Sequence, residues 1–398
     1  MDADLITVEV RGADRVRVGQ IDAADLTGFL CVHRKNSVGS WSLKLPDKVL
    51  SDAGVLVRHK LCWELRQPSA GLVITGPDWV LSGPMIYAAQ EQVPEDPDGT
   101  WTFEGVSDLV FLARPTAFPD PAIGTSQASS QSRASDTRTA AAETLMRTFV
   151  RLNVGEGAPA NRRLAGLTSG TDLARGGTLT KSPRFDNLLE LLQKIALGSN
   201  LLFDVIQVGD GLEFRVSVPV DVSSEERWDV DNGQLSRAKY GFTAPGCTRV
   251  FVAGQGEGTL RTIVEVTTAA SLISEAVWGR IERFVDHRNT DDLAELTQAG
   301  LEILAAEGSA ITSLEVVPSA DLAEGFGSRW LLGSVVTVVV GDQEILAPVT
   351  EVPVMITPEG LFIGATVGDP TGFDWESTLS SRQSKTEARL SALERTSL

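Results

Sequence analysis

Apolar and polar positions alternate from the first residues of the chain. Ile6, Val8 and Val10 fall on one face of an extended segment, and Leu5, Thr7 and Glu9 on the other. A period of two predicts strands. The alternation returns at Trp41, Leu43 and Leu45, and Val55 to Leu65 carries apolar residues at odd positions, which predicts another strand. DWVLSGPMIYAAQ and TWTFEGV flank the acidic tip EQVPEDPDG and predict a β-hairpin. The apolar segment Leu109 to Leu112 follows, and Pro115, Pro119 and Pro121 end the unit. Residues 119–135, PDPAIGTSQASSQSRAS, are small and polar without periodicity, and predict a linker.

Beyond the linker the period lengthens. Asp136 is placed to cap a helix with Leu145, Met146, Phe149 and Val150 on one face and Gly155 as its stop. A second helix is marked by Ser182 as N-cap and Pro183 in the first turn. Its face is Phe185, Leu188, Leu189, Leu192 and Ile195, with Gly198 past its end. LLFDVIQV and LEFRVSV, joined by Gly209-Asp210-Gly211, predict a hairpin that completes a small α+β module. Strands return from Trp228 to Val266. A third helix opens at Asp291 and Asp292, buries Leu293, Leu296 and Leu304, and closes at Gly308. Strands resume through ILAPVTEVPVM and LFIGATV. In the tail, Leu379, Gln383, Thr386, Leu390 and Leu393 are spaced as a heptad seam of under three repeats. That fits a short coiled coil and a solvated helix end equally.

One order of elements recurs. Gly54 opens VLVRHKL, VLSGPMIY follows, and a loop leads to TWTFEGVSD with Asp108. Gly333 opens SVVTVVV, ILAPVTEV follows, and a loop leads to LFIGATVGD with Asp369. A duplicated unit leaves this kind of trace. The expected fold class is a β-rich α+β chain with two related β-barrel-like domains. The first barrel is 1–118, the linker 119–135 and the α+β module 136–218. The second barrel is 219–270 and 319–370, interrupted by an α/β module at 271–318, and a helix closes the chain at 371–398.

Composition narrows the function. The 398 residues, 42% hydrophobic and 22% charged, are globular values with room for two to four sub-domains. A net charge of −18 removes the counterion-release term that drives nucleic-acid binding, and disfavours anionic membrane surfaces. Cys31, Cys62 and Cys247 cannot make a disulfide framework and are expected as reduced, buried thiols. MDADLITVEVRG has neither a basic n-region nor an apolar core, so no secretory signal is expected, and the apolar run Val335–Val340 has a strand's length, not a membrane span's.

Candidate chemistry was weighed site by site. Gly254, Gly256 and Gly258 in VFVAGQGEGTLR evoke a phosphate loop, but that loop needs a helix directly after it. Leu260 to Val266 continues as β-branched strand, so a hairpin turn is expected. Cys31, His33, His59 and Cys62 have the ligand types of a zinc site. Strand parity sends His59 and Cys62 to opposite faces, so ordinary buried residues are the better reading. Glu91, Glu95, Asp96 and Asp98 cluster at a hairpin tip without calcium-loop spacing. Glu225-Glu226 and Asp291-Asp292 are adjacent pairs whose side chains diverge, so neither makes a glycosidase dyad. His287 beside Asp286 has no visible nucleophile, and no Gly-x-Ser-x-Gly or His-Glu-x-x-His motif occurs. No catalytic, cofactor or metal residue is assigned.

VFVAGQGEGTLR, WGRIERFVDHRN, DDLAELTQAGLEIL, WLLGSVVTVVV and LFIGATVGD, in that order, resemble minor tail proteins of the baseplate or tail hub family of siphophages infecting actinobacteria. WVLSGPMIY, TWTFEGVSDLVFLARPTAFPDP and TAAAETLMRTFVRLN extend the resemblance to roughly the whole chain up to Asp369. It implies a virion structural protein without enzymatic activity, made in the host bacterial cytoplasm and located at the tail tip. It also implies a homotrimer whose six similar barrels form a ring beneath a six-fold tube. The implied partners are the distal tail protein, the tape measure protein and downstream tip or fibre proteins, with DNA only in transit through the channel. Some hubs carry a lytic domain, but this chain ends soon after Asp369, which disfavours that version. Two other readings are a cell-wall hydrolase with carboxylates assembled from distant positions, and a carbohydrate-binding adhesin. The latter is suggested by eight Trp, although Trp41, Trp79 and Trp101 sit in strand patterns that suit core packing.

Overall fold

The computed structural model describes residues 6–368 apart from 23, 24, 27, 52, 125–130, 289, 342, 358 and 359. The predicted tail helix and its heptad seam lie outside the described residues, as does Asp369.

The chain is mostly β. Its first part supplies β1 (Thr7–Arg11), β2 (Gly28–Arg34), β3 (Ser40–Pro46), β4 (Gly71–Gly76), β5 (Trp79–Val93) and β6 (Asp96–Val106). A module follows with α1 (Ala142–Asn153), α2 (Leu188–Ser199), β7 (Leu202–Val208) and β8 (Gly211–Ser217). Next come β9 (Arg227–Asp229) and β10 (Leu235–Thr243), then β11 (Arg249–Ala253), β12 (Ile263–Val266), α3 (Ala269–Trp278), β13 (Glu282–Asp286) and α4 (Leu293–Glu307). The last part is β14 (Ile311–Pro318), β15 (Val335–Val340), β16 (Gln343–Thr357), β17 (Gly360–Ile363) and β18 (Ala365–Gly368).

A 14-stranded sheet runs in the order β10-β14-β18-β16-β2-β3-β6-β5-β4-β1, then Arg17–Gln20, with β9, β15 and β17 attached through β15 and β16. Two closed barrels were expected. Among the described residues the ladder stays open: β10 ends it on one side and Arg17–Gln20 on the other. The long strands β5 and β16 prevent closure into separate units, because each begins in one sheet and finishes in another. β5 pairs with β4 through Pro84 and from Met85 with β6. β16 pairs with β15 through Pro348, then with β17, β18 and β2. Proline donates no backbone hydrogen bond, which suits the place where a strand changes partner.

The predicted recurrence is present, in a different register. Both long strands have 15 residues. Gly71 faces Pro84 and Gly76 faces Trp79 in one half; Val335 faces Pro348 and Val340 faces Gln343 in the other. Each long strand is bulged at the matching place, between Met85 and Tyr87 and between Val349 and Glu351. Each hairpin closes at the matching pair, Val93 with Asp96 and Thr357 with Gly360. The offset is the same at all these positions. The sequence comparison matched VLVRHKL to SVVTVVV, but the counterpart of β15 is β4, GLVITG. Val55 to Leu65 is not one strand: it forms a short strand, Leu56–Arg58, and a helix, Lys60–Leu65, because the His59 side chain accepts the Cys62 N–H at 3.1 Å and starts a turn. The halves also diverge at their outer strands, since β1 lies antiparallel to β4 and β9 parallel to β15.

Both halves share one core, from Ile6 through Trp41, Trp228 and Trp330 to Val367. The α+β module has its own, from Leu109 to Val216. A third, small core gathers Cys247, Val250, Val252, Val266, Leu296 and Leu304. β11 and β12 therefore belong with β13, α3 and α4, not with the second half's sheet where the sequence placed them. This unit fills the connection between β10 and β14.

Helix ends follow local chemistry where nothing competes. Asp292 accepts the Ala294 N–H and opens α4, and Gly308 closes it, as predicted. Elsewhere tertiary pairing wins. Asp186-Asn187 bridges to Thr116-Ala117, so α2 starts at Leu188 with Asn187 as cap, not Ser182. Asp136 is buried and ion-paired to Arg138 at 2.8 Å, while Arg138–Ala141 pairs with Thr178–Lys181 and delays α1 to Ala142.

The α+β module is pinned by a buried carboxylate. Glu143 receives the Arg147 Nε at 2.8 Å, the Arg175 Nε at 2.7 Å and the Arg175 backbone N–H at 3.1 Å. Burial alone would raise its pKa, but hydrogen bonds and charge from Arg175 and Arg147 outweigh it and hold the carboxyl at about 2. A lowered folded-state pKa adds stability above the unfolded carboxylate value that is lost as pH falls through the folded one. Wild type should lose about 3 kcal/mol from this group between pH 4.5 and 2. Glu143→Gln should be less stable at neutral pH and show a flatter acid limb in chemical denaturation; parallel acid limbs would contradict this.

Candidate functional site

The residues singled out by sequence fall at separate places. Cys31 and His33 lie on β2, and His33 stacks edge-on against Trp79 with centroids 4.6 Å apart. Burial pushes the Cys31 thiol up and holds the His33 imidazole down at about 3. His59 spends Nδ1 on its helix cap and brings Nε2 within 3.3 Å of Asp25 Oδ2. Burial, helped by Asp47, raises the Cys62 thiol to about 12. Among the described residues no group of three or more His, Cys, Asp or Glu converges as a metal centre.

The acidic hairpin tip folds on itself. Asp96 accepts the Gly99 N–H and the Thr100 hydroxyl, each at 3.1 Å, and Asp98 pairs with Lys48. Glu226 is buried and accepts the Trp228 indole N–H at 3.1 Å, while Glu225 is exposed. Asp286 pairs with Arg288 and Arg261, and His287 Nε2 stands 3.6 Å from Glu295. The glycine run is a hairpin connection: β11 and β12 are antiparallel neighbours, and Arg261 Nε binds the Gly254 carbonyl at 2.9 Å. No helix N-terminus follows it to receive a phosphate.

The cavities are seams. One of about 570 Å³ lies where β2, β7 and the Trp79 turn meet and is lined by His33, Asp204, Arg215 and Phe326. Burial pushes Asp204 up to about 7 there. Its carboxylate Oδ1 accepts the Val205 N–H at 2.7 Å, and no nucleophile is hydrogen-bonded to it among the described residues. A shallow groove of about 670 Å³ crosses the outer face of β2, β3 and β6.

The surface is more telling. Phe242 at the free edge of β10 is 61% exposed, and it touches Tyr240 and Trp278. On α3, Ile273 and Val277 are exposed, 70% and 75%. Ile86 and Tyr87 on β5 are also exposed. Contiguous exposed apolar side chains mark surfaces that meet another protein. The alternation used to find strands carries no information on whether an edge is covered, so these surfaces were not legible in sequence.

Residues 7–369 match the family of Siphovirus ReqiPepy6 Gp37-like proteins. The chain belongs to that family. This siphophage tail-protein relationship extends to the fold. The 43 kDa tail protein of prophage MuSo2 from Shewanella oneidensis is similar at a TM-score of 0.57 and 10% identity, over 93% of this chain and 99% of that one. A tail protein from Neisseria meningitidis MC58 is similar at a TM-score of 0.50 and 12% identity, over 92% of this chain and 96% of that one. At such identities the likeness concerns the fold alone. No curated protein sequence matches the chain. The family protein thus combines a phage tail-protein fold with exposed strand edges and, among the described residues, no assembled catalytic group.

Proposed function

We propose that the chain is the trimeric hub at the distal end of a siphophage tail, a structural part of the virion without enzymatic activity. The observation that carries this reading is the repeated register: two halves with matched prolines, bulges and hairpin closures in one polypeptide. Three copies of a chain with two like halves present six like units, which lets a three-fold assembly sit under a six-fold tube. Heterologous contacts between like units close into rings. On this reading the hub joins the tail tube and distal tail protein to three-fold tip or fibre proteins. Tape measure protein and DNA pass through its centre, and the net charge of −18 discourages phosphates from binding in transit.

Gold-labelled antibody against the chain should decorate siphophage virions at the distal tail end only. Label along the tube or on the capsid would contradict the assignment. The purified chain should leave peptidoglycan zymograms uncleared; clearing would favour the hydrolase reading.

A further inference from the structure

The repeat predicts which edges join neighbouring copies. Inside one chain the two halves meet by a strand ladder. β2 of the first half pairs with β16 of the second, with Arg34 facing Glu351, Cys31 facing Val354 and Leu30 facing Met355. Arg34 Nε binds the Glu351 carboxylate at 3.0 Å across this junction.

Each partner in that junction has a counterpart in the other half. β5 matches β16 through Pro84 and Pro348 and through the bulges after Met85 and Val349, which sets Tyr87 against Glu351 and Glu91 against Met355. β3 matches β14, because Trp41 faces Gly105 where Leu314 faces Val367. β10 then matches β2, because Tyr240 faces Leu314 where Cys31 faces Trp41. Lys239 corresponds to Leu30 and Thr243 to Arg34 by the same count.

These counterparts do not meet within the chain. β10 ends the sheet, with β14 on its one paired side. β4 covers β5 only as far as Pro84, and beyond it β6 takes one side, so the other edge of Ile86–Val93 is open among the described residues. Long open edges with exposed apolar side chains recruit another strand.

We propose that β10 of one copy adds to the second half of β5 of the next copy, antiparallel and in the register of the internal junction. Thr243 then faces Tyr87, Phe242 faces Ala88, Tyr240 faces Gln90 and Lys239 faces Glu91. This deepens the trimeric reading and rests on it. Two observations select a second copy as the occupant. The junction inside the chain is a worked example of the same pairing between like halves. The register, fixed without reference to charge, sets a lysine directly opposite a glutamate, a favourable cross-strand pair. It also covers the bare Tyr240 and Phe242 ring edges, whose counterparts Cys31 and His33 are buried at the internal junction. Each copy offers one β10 and one β5, so the contact is head-to-tail and three copies close it.

The test uses the full chain. Under mild oxidation, Tyr87→Cys with Thr243→Cys should give covalent trimers on denaturing gels. Tyr87→Cys with Lys239→Cys, four residues out of register, should not. Native Cys31, Cys62 and Cys247 are buried. Glu91→Lys and Lys239→Glu should each weaken assembly at least tenfold, and the double reversal should restore it, with circular dichroism reporting that every variant is folded. A wild-type trimer that neither crosslinks in register nor responds to charge reversal would overturn the ladder while leaving the trimer standing. A wild-type chain that remains monomeric at every concentration would overturn the three-fold reading itself.

Discussion

Asp108→Ala is expected to lower stability by about 3–5 kcal/mol, the cost of breaking a buried ion pair by removing one partner. Asp108 is fully buried at the end of the first half. Its carboxylate receives Arg11 NH2 at 2.5 Å, Arg11 NH1 at 2.8 Å and the Ser82 hydroxyl at 2.6 Å. Arg11, itself 2% exposed, also donates to Gln207 Oε1 at 2.8 Å, and the Gln207 N–H returns to Ser82 Oγ at 2.9 Å. This closed network spans β1, β5 and β7 and fixes the α+β module against the first half. Without Asp108 the guanidinium stays buried with only an amide to answer it. Urea denaturation should show a lower midpoint, and limited proteolysis should release the module between residues 109 and 217 early. Asp108→Asn should cost less in packing but almost as much in charge. A loss below about 1 kcal/mol for both would place the network outside the determinants of stability.

Gly105→Val is expected to destabilise by about 3 kcal/mol through overpacking. A Cβ at Gly105 would come within 2.1 Å of Trp41 Cε2, and both residues lie between paired neighbours that cannot move aside. The repeat supplies the rescue. At the corresponding pair in the second half, Leu314 faces Val367, so the large partner is smaller and the small partner larger. Trp41→Leu with Gly105→Val recreates that pair and should recover at least half of the loss in thermal melts. Trp41→Leu alone should be destabilised by about 3 kcal/mol, through the cavity it leaves. A double variant no more stable than the worse single would deny the equivalence of the two positions.

Much of the secondary structure was legible because its signals are local. Asp292 and Gly308 delimit α4, and Gly209-Asp210-Gly211 turns β7 into β8. What failed depended on distant partners. Ser182 and Pro183 have the chemistry of a helix start, yet Asp186-Asn187 is held extended by Thr116-Ala117. β11 and β12 read correctly as strands, but alternation does not name the sheet a strand joins, and α4 draws them into the inserted unit. The α3 helix escaped notice because its capping signal is Thr268 with Ser271, and it buries only Ser271 and Ser274 while its apolar residues face outward. The duplication was visible as an order of elements. Its register needed the paired prolines and bulges, since Gly54 and Gly333 suggested the wrong strand. The individual candidate residues were found; the surfaces were not, because openness of an edge is a property of the assembled sheet.

Native mass spectrometry of the full chain bears most directly on the claim that two like halves build a three-fold ring. A dominant species at three times 42.5 kDa, with no stable even-numbered complex, is the expected result. A stable dimer would contradict it, since a two-fold contact sets like edge against like, β10 on β10, and closes without ever forming six units.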